Sequence, residues 1–338
     1  MKTIGITTTL PIEVLLAAKY RVVDLNNLFV TSDNYSNYID TAERDGFPKS
    51  MCAWIKGIYG ACIHNDIKEI IGVVEGDCSN TKALTEVLKL KGVNVIPFAY
   101  PHNHTVDAVK KSINDLMKSL NVTFENVEEI RKELNDLREL AREIDKETYT
   151  YGRASGFENH LFQVMFSDLN GDIDEFKSML YLKLNEIKQR EPSYKKLRLG
   201  YIGVPPMMTD IYEYVEKFDA SFVYNEVQRE FAFPRAYKAK DIYEQYYDYT
   251  YPYDIEFRLN EMKMEIKERK IDGLIHYTQA FCYRAVEDIV IKKEIDIPIL
   301  TIEGDKLNKL DSRTKLRIEA FLDMLIDLKG GIIWEHLE

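Results

Sequence analysis

Asp272-Gly273-Leu274-Ile275-His276-Tyr277-Thr278-Gln279-Ala280-Phe281-Cys282-Tyr283-Arg284-Ala285 runs from a short apolar stretch into a polar turn, with a cysteine where a helix should begin. An apolar run of this length bounded by turn signals predicts a strand buried in a parallel sheet. A thiol just beyond such a strand stands at the carboxyl edge of the sheet, where open α/β folds keep their ligands. Helix amides and the helix dipole at that place favour the thiolate, the form that binds metals.

Working outward, the same order recurs. Ile67 to Val74 reads as an apolar strand, Glu75-Gly76-Asp77-Cys78-Ser79-Asn80 as a turn, and Thr81 to Lys91 as a helix. Another strand, Gly92 to Phe98, ends at Tyr100-Pro101-His102-Asn103-His104. Upstream, Pro11 to Lys19 suits a helix with proline in its first turn, and Tyr20 to Leu25 suits a strand. In Asp45-Gly46-Phe47-Pro48-Lys49-Ser50-Met51-Cys52, Ser50 is placed to cap a helix over Met51 to Asn65 that carries Cys52 and Cys62. Those two cysteines are ten residues apart, about 80° around the helix and nearly three turns along it. They reach one metal only if the helix breaks at Gly57 or Gly60.

From Thr105 to Arg190 the chain becomes charged and helical in period. Ile130, Leu134, Leu137, Leu140 and Ile144 mark one apolar helix face. Strand signals return at Leu197 to Val204, Ala220 to Tyr224, Ile271 to Tyr277 and Ile297 to Ile302, before a last helix from Asp311 to Leu328. Strands alternating with helices predict an α/β protein with parallel sheets. The expected organisation is an N-terminal α/β lobe over 1–104, a helical connecting segment over 105–195 and a C-terminal α/β lobe over 196–338.

With 338 residues, 45% hydrophobic and 30% charged, the chain suits a soluble protein of two domains. No apolar run predicts a membrane span and no leader predicts export, so a cytoplasmic location is expected. The net charge of -11 argues against a nucleic-acid or anionic-membrane surface. Four cysteines in a reducing compartment are core residues, catalytic thiols or metal ligands rather than a disulfide framework. No P-loop and no G-x-G-x-x-G is present.

Cys78 and Cys282 therefore hold matching places in two lobes, with Cys52 opening a helix upstream of the first. If the lobes face one another, three thiols can converge on the cleft and cradle an iron-sulfur cluster with one iron open. The plain alternative is that buried cysteines are core residues, which is the expectation for Cys62. His276 could serve as a proton donor near Cys282, against the commoner role of a core histidine. Glu226 with Arg229, and Glu303 with Asp305, sit at strand ends, where acid-base work competes with capping and surface pairing. His102 and His104 suit a polar loop better than a metal site. Arg313 and Arg317 could grip a phosphate or simply face water. The tyrosines Tyr243, Tyr246, Tyr247, Tyr249, Tyr251 and Tyr253 could line a substrate surface or form a packing layer.

In these segments the chain resembles the 2-hydroxyacyl-CoA dehydratase family, which includes 2-hydroxyglutaryl-CoA dehydratase D-components, benzoyl-CoA reductase subunits and double-cubane cluster proteins. The resemblance rests on Pro48-Lys49-Ser50-Met51-Cys52, on Gly76-Asp77-Cys78 and on the run from Asp272 to Cys282. One C-terminal segment, Ile302-Glu303-Gly304-Asp305 followed by Arg313 to Phe321, completes it, so four separated segments match in order. It implies two flavodoxin-like lobes and an oxygen-sensitive 4Fe-4S cluster held by Cys52, Cys78 and Cys282, while His276, Glu303 and Glu226 stay candidate catalytic residues on their strand positions alone. It also implies an ATP-dependent iron-sulfur activator protein that injects one low-potential electron. The acyl-CoA thioester then becomes a ketyl radical from which the β-proton and hydroxyl leave. A homodimer, or a heterodimer with a related subunit, is the expected assembly.

Other functions stay open at this level. Tyr224 to Arg229 and Tyr249 to Tyr253 are closer to the double-cubane-like branch and its small-molecule reductases, but only Cys62 is spare for a second cubane. A non-catalytic electron carrier or scaffold would use the same cluster. A structural zinc or metal-free binding protein would use none.

Overall fold

Short runs rich in isoleucine and valine alternate with amphipathic helices, and this pattern builds parallel sheets. The computed structural model describes residues 1–335; the last three residues of the expected 196–338 lobe lie outside them. Its strands are β1 (Lys2–Ile6), β2 (Tyr20–Asp24), β3 (Glu69–Glu75), β4 (Asn94–Ala99), β5 (Leu197–Gly203), β6 (Ala220–Asn225), β7 (Gly273–Gln279) and β8 (Ile299–Gly304). Among the described residues they form two four-stranded sheets, ordered β2-β1-β3-β4 and β6-β5-β7-β8, with every pairing parallel. The same flavodoxin-like order thus occurs twice, with a topological switch between β1 and β3 in one sheet and between β5 and β7 in the other. The chain is α/β with two flavodoxin-like lobes. At the sequence level this repeat is silent.

β1 is a central strand that the hydrophobic pattern did not single out. Its five residues Lys-Thr-Ile-Gly-Ile are too few for a period to emerge.

The chain divides into two compact units. The first comprises Met1–Arg142, Gln163–Leu182 and Glu230–Asp254; the second comprises Glu143–Phe162, Lys183–Arg229 and Ile255 onward. The helical stretch 105–195 is therefore shared out between them. Residues 230–254 join the first unit through a buried polar knot. Arg138 Nη2 and Gln245 Nε2 both donate to Glu13 Oε1 at 2.7 Å, and Tyr246 Oη donates to Glu13 Oε2 at 2.8 Å. Glu13 is wholly buried, so burial alone would raise its carboxyl, but the Arg138 guanidinium outweighs that and holds it below the usual range.

In the first unit, Leu25, Ile55, Ile58, Tyr59, Ile70 and Leu84 pack into one core cluster. In the second, Ile202, Val223, Leu259, Met262, Leu274 and Ile291 do the same. The amphipathic helix in the middle of the chain spans Phe124–Lys146, with Leu134, Leu137 and Ile144 buried and Ile130 and Leu140 half-buried. The last helix, Ser312–Glu335, runs past the expected Leu328. Among the described residues no helix is long and apolar enough to cross a membrane.

Candidate functional site

Cys52 and Cys78 belong to the first unit, and each is the residue at which a helix begins. The helix Ala53–His64 starts directly after Cys52, so the N-terminal boundary falls at Cys52 and not at Ser50. The helix Ser79–Leu90 starts directly after Cys78. The two cysteines share nearly one backbone conformation, φ -48° and ψ 132° for Cys52, φ -59° and ψ 132° for Cys78. Extended backbone at a helix start leaves the first N–H groups pointing outward, where they favour negative charge.

The turn that delivers Cys78 depends on Gly76. Its φ is +85°, and a Cβ there would come within 2.6 Å of Tyr100 Cβ and 3.0 Å of Pro252 Cβ. Asp77 closes the turn by accepting a hydrogen bond from Thr81 Oγ1 at 3.2 Å.

Cys62 behaves differently. The helix Ala53–His64 is unbroken, and Gly57 and Gly60 serve close packing against Phe29 and Tyr38 rather than a kink. Cys62 is buried, its thiol donates to the Ile67 carbonyl at 3.6 Å, and burial pushes its pKa up to about 12. It remains a thiol packed in the core.

Cys282 belongs to the second unit. β7 ends at Gln279, and the Cys282 N–H closes a turn onto the Gln279 carbonyl at 3.0 Å. The helix Arg284–Glu294 follows. Cys78 stands three residues beyond the end of β3, and Cys282 three beyond the end of β7. β3 and β7 hold the same place in their sheets, beside the switch point. Cys78 and Cys282 are thus equivalent at the carboxyl edges of two sheets. Partly exposed sulfur donors at such edges suit a soft metal or an iron-sulfur cluster.

The charged candidates separate by burial. Glu226, just after β6, is enclosed: it accepts from Arg258 Nε at 2.7 Å, from Arg258 Nη2 at 3.0 Å and from the Gly203 N–H at 2.9 Å. Burial would raise its carboxyl, but Arg258 prevails and holds it below the usual range. Arg258 also pairs with Glu287, one turn into the helix that follows Cys282. His276 sits in the middle of β7, 1% exposed, and its Nδ1 lies 2.8 Å from Asp288 Oδ1 on that same helix. Burial lowers its pKa, and the pull of Asp288 does not fully offset this. Thr301 Oγ1 also donates to Asp288, at 2.7 Å. Glu303, near the end of β8, is exposed, as is Asp305.

Other features take structural places. Arg229 pairs with Glu261 and Glu265 and lies near Asp145, inside the second unit. His104 stacks on Tyr253 at 3.7 Å between centroids, and its Nε2 lies 2.7 Å from the Tyr247 carbonyl oxygen, whereas His102 is exposed. Tyr246 and Tyr249 are buried against Phe233, so the tyrosine run forms a packing layer of the first unit. Arg317 is exposed and donates to the Thr301 carbonyl at 2.7 Å. Sequence reasoning missed Arg258, Glu287 and Asp288. Each meets its partner from another element, so no local signal marks it.

A search of the curated proteins finds no match to the chain. A family model described as 2-hydroxyglutaryl-CoA dehydratase, D-component, matches residues 7–325, a span that contains the strands β2 to β8 and all four cysteines. A match over that span places the chain in the 2-hydroxyglutaryl-CoA dehydratase D-component family.

Proposed function

We propose that the chain is the cluster-bearing component of an ATP-activated 2-hydroxyacyl-CoA dehydratase-type system, with Cys52, Cys78 and Cys282 as ligands of one 4Fe-4S cluster. The observation that carries this reading is the equivalence of Cys78 and Cys282, each three residues past the end of β3 or β7, with Cys52 at a helix start as Cys78 is. Cys282 itself lies in the turn two residues before its helix, not at the helix start the sequence suggested. When bound, the cluster would supply single low-potential electrons to an acyl-CoA thioester. The donor set is three sulfurs, which leaves one iron for substrate. Cys62 is left out of the set because it lies on the unbroken helix Ala53–His64, nearly three turns beyond Cys52, with its thiol donating to the Ile67 carbonyl.

The protein groups divide their roles by exposure. Glu303, open to solvent at the end of β8, is assigned to proton transfer. Glu226, ionised and held by Arg258, is assigned to positioning, because Arg258 links it to the helix that follows Cys282. His276 anchors the same helix through Asp288. The partners proposed are an ATP-hydrolysing iron-sulfur activator and a second copy of the chain or a related subunit.

The test is iron, acid-labile sulfide and zinc per chain in protein purified without oxygen, with an EPR spectrum after reduction. About four irons and four sulfides are expected. Zinc without sulfide, or no iron in protein never exposed to oxygen, overturns the reading.

A further inference from the structure

Phe281 precedes Cys282 and carries a left-handed backbone, φ +63°. It occupies the third position of the turn closed by the Cys282 N–H on the Gln279 carbonyl, a position where glycine is the unstrained choice. Two other bulky apolar residues among those described have positive φ, Leu169 at +53° and Phe233 at +48°. Both are compensated by packing: Leu169 is 1% exposed, and Phe233 is 4% exposed with its ring against Tyr246 and Tyr249. Phe281 is 70% exposed. Its fold therefore bears both the strained backbone and an apolar ring in water. Strain of this kind persists where it serves a site.

We propose that Phe281 is a substrate-binding residue, whose ring packs against the acyl part of the thioester bound beside Cys282. This rests on the acyl-CoA reading of the site. The strand-to-helix turn at the carboxyl edge of β7 is where open α/β folds place small ligands. A ring whose backbone is locked in one conformation also fits a reacting molecule, which must be held to within about an ångström. A docking face for a protein depends instead on buried area, for which a strained backbone offers nothing.

The experiment uses full-length protein purified without oxygen, with Phe281→Gly and Phe281→Tyr as variants. Hexanoyl-CoA and free CoA are the titrants, followed by calorimetry, alongside iron content and thermal melting. Phe281→Gly should keep its iron, melt at the same temperature or higher, and bind hexanoyl-CoA about tenfold more weakly with CoA unchanged. Phe281→Tyr should bind hexanoyl-CoA like the parent. Equal hexanoyl-CoA affinity in the parent and Phe281→Gly overturns the inference while leaving the acyl-CoA reading intact. A parent that binds neither titrant overturns both. A Phe281→Gly protein that melts well below the parent shows that the ring stabilises the fold and also overturns the inference. Unchanged acyl-CoA binding with lost electron uptake from a protein donor overturns it in favour of a partner contact.

Discussion

Single residues in this protein are governed by whether they are enclosed. Cys282→Ser replaces a soft donor with a poor one at an exposed turn, so the fold should survive while iron and sulfide fall to near zero. Unchanged iron in that variant would remove Cys282 from the ligand set. Cys62→Ser should retain its iron, since its sulfur already donates to the Ile67 carbonyl inside the core. Glu226→Ala leaves the Arg258 guanidinium, 1% exposed, without the carboxylate that accepts two of its hydrogen bonds. That loss should cost about 3–5 kcal/mol in urea denaturation, the usual scale for breaking a buried pair from one side. A cost below about 1 kcal/mol would mean that Glu226 does not anchor the strand ends.

At the scale of elements, the helix Ala53–His64 shows packing overruling propensity. Alanine is favoured over glycine within a helix by about 1 kcal/mol. Yet a Cβ on Gly60 would lie 2.3 Å from the Tyr38 Cα and carbonyl oxygen, which are backbone atoms that cannot rotate away. Gly60→Ala should therefore lower the urea midpoint despite its better propensity, and a raised midpoint would show that Tyr38 yields. The short helical turns around Asp168, which meet the end of β2 at Asp24, give a prediction in pH. Asp168 is buried, accepts from the Asp24 N–H at 2.9 Å, and has its pKa raised to about 7 by burial and by the Asp24 carboxylate. A folded pKa above the unfolded value favours the protonated carboxyl in the folded state. Its stabilising contribution is complete below about pH 4 and is lost as pH rises through 7. The melting temperature of the parent relative to Asp168→Asn should thus rise as pH falls from 8 to 5.5, and a constant difference would refute the raised pKa.

For the whole molecule, local sequence signals carried the class of fold and the thiol positions. Apolar runs ending in Gly76-Asp77-Cys78 and in Gln279-Ala280-Phe281-Cys282 located strand, turn and cysteine, because the pleat, the turn and the helix start are each decided within a few residues. β7 ran two residues later than the pattern placed it, Gly273–Gln279 against Ile271 to Tyr277, and β3 ended one residue later than expected, at Glu75. What the pattern did not disclose is that residues 230–254 join the first unit, that β1 is a central strand, and that His276 and Glu226 are enclosed by Asp288 and Arg258. The sequence by itself determined two α/β lobes and cysteines at their strand ends. Only the tertiary structure decided which carboxylates stay open to solvent and which are neutralised. A buried charge finds its partner on a distant element, 32 residues away for Glu226 and Arg258, and periodicity over one helix or strand holds no information across that distance.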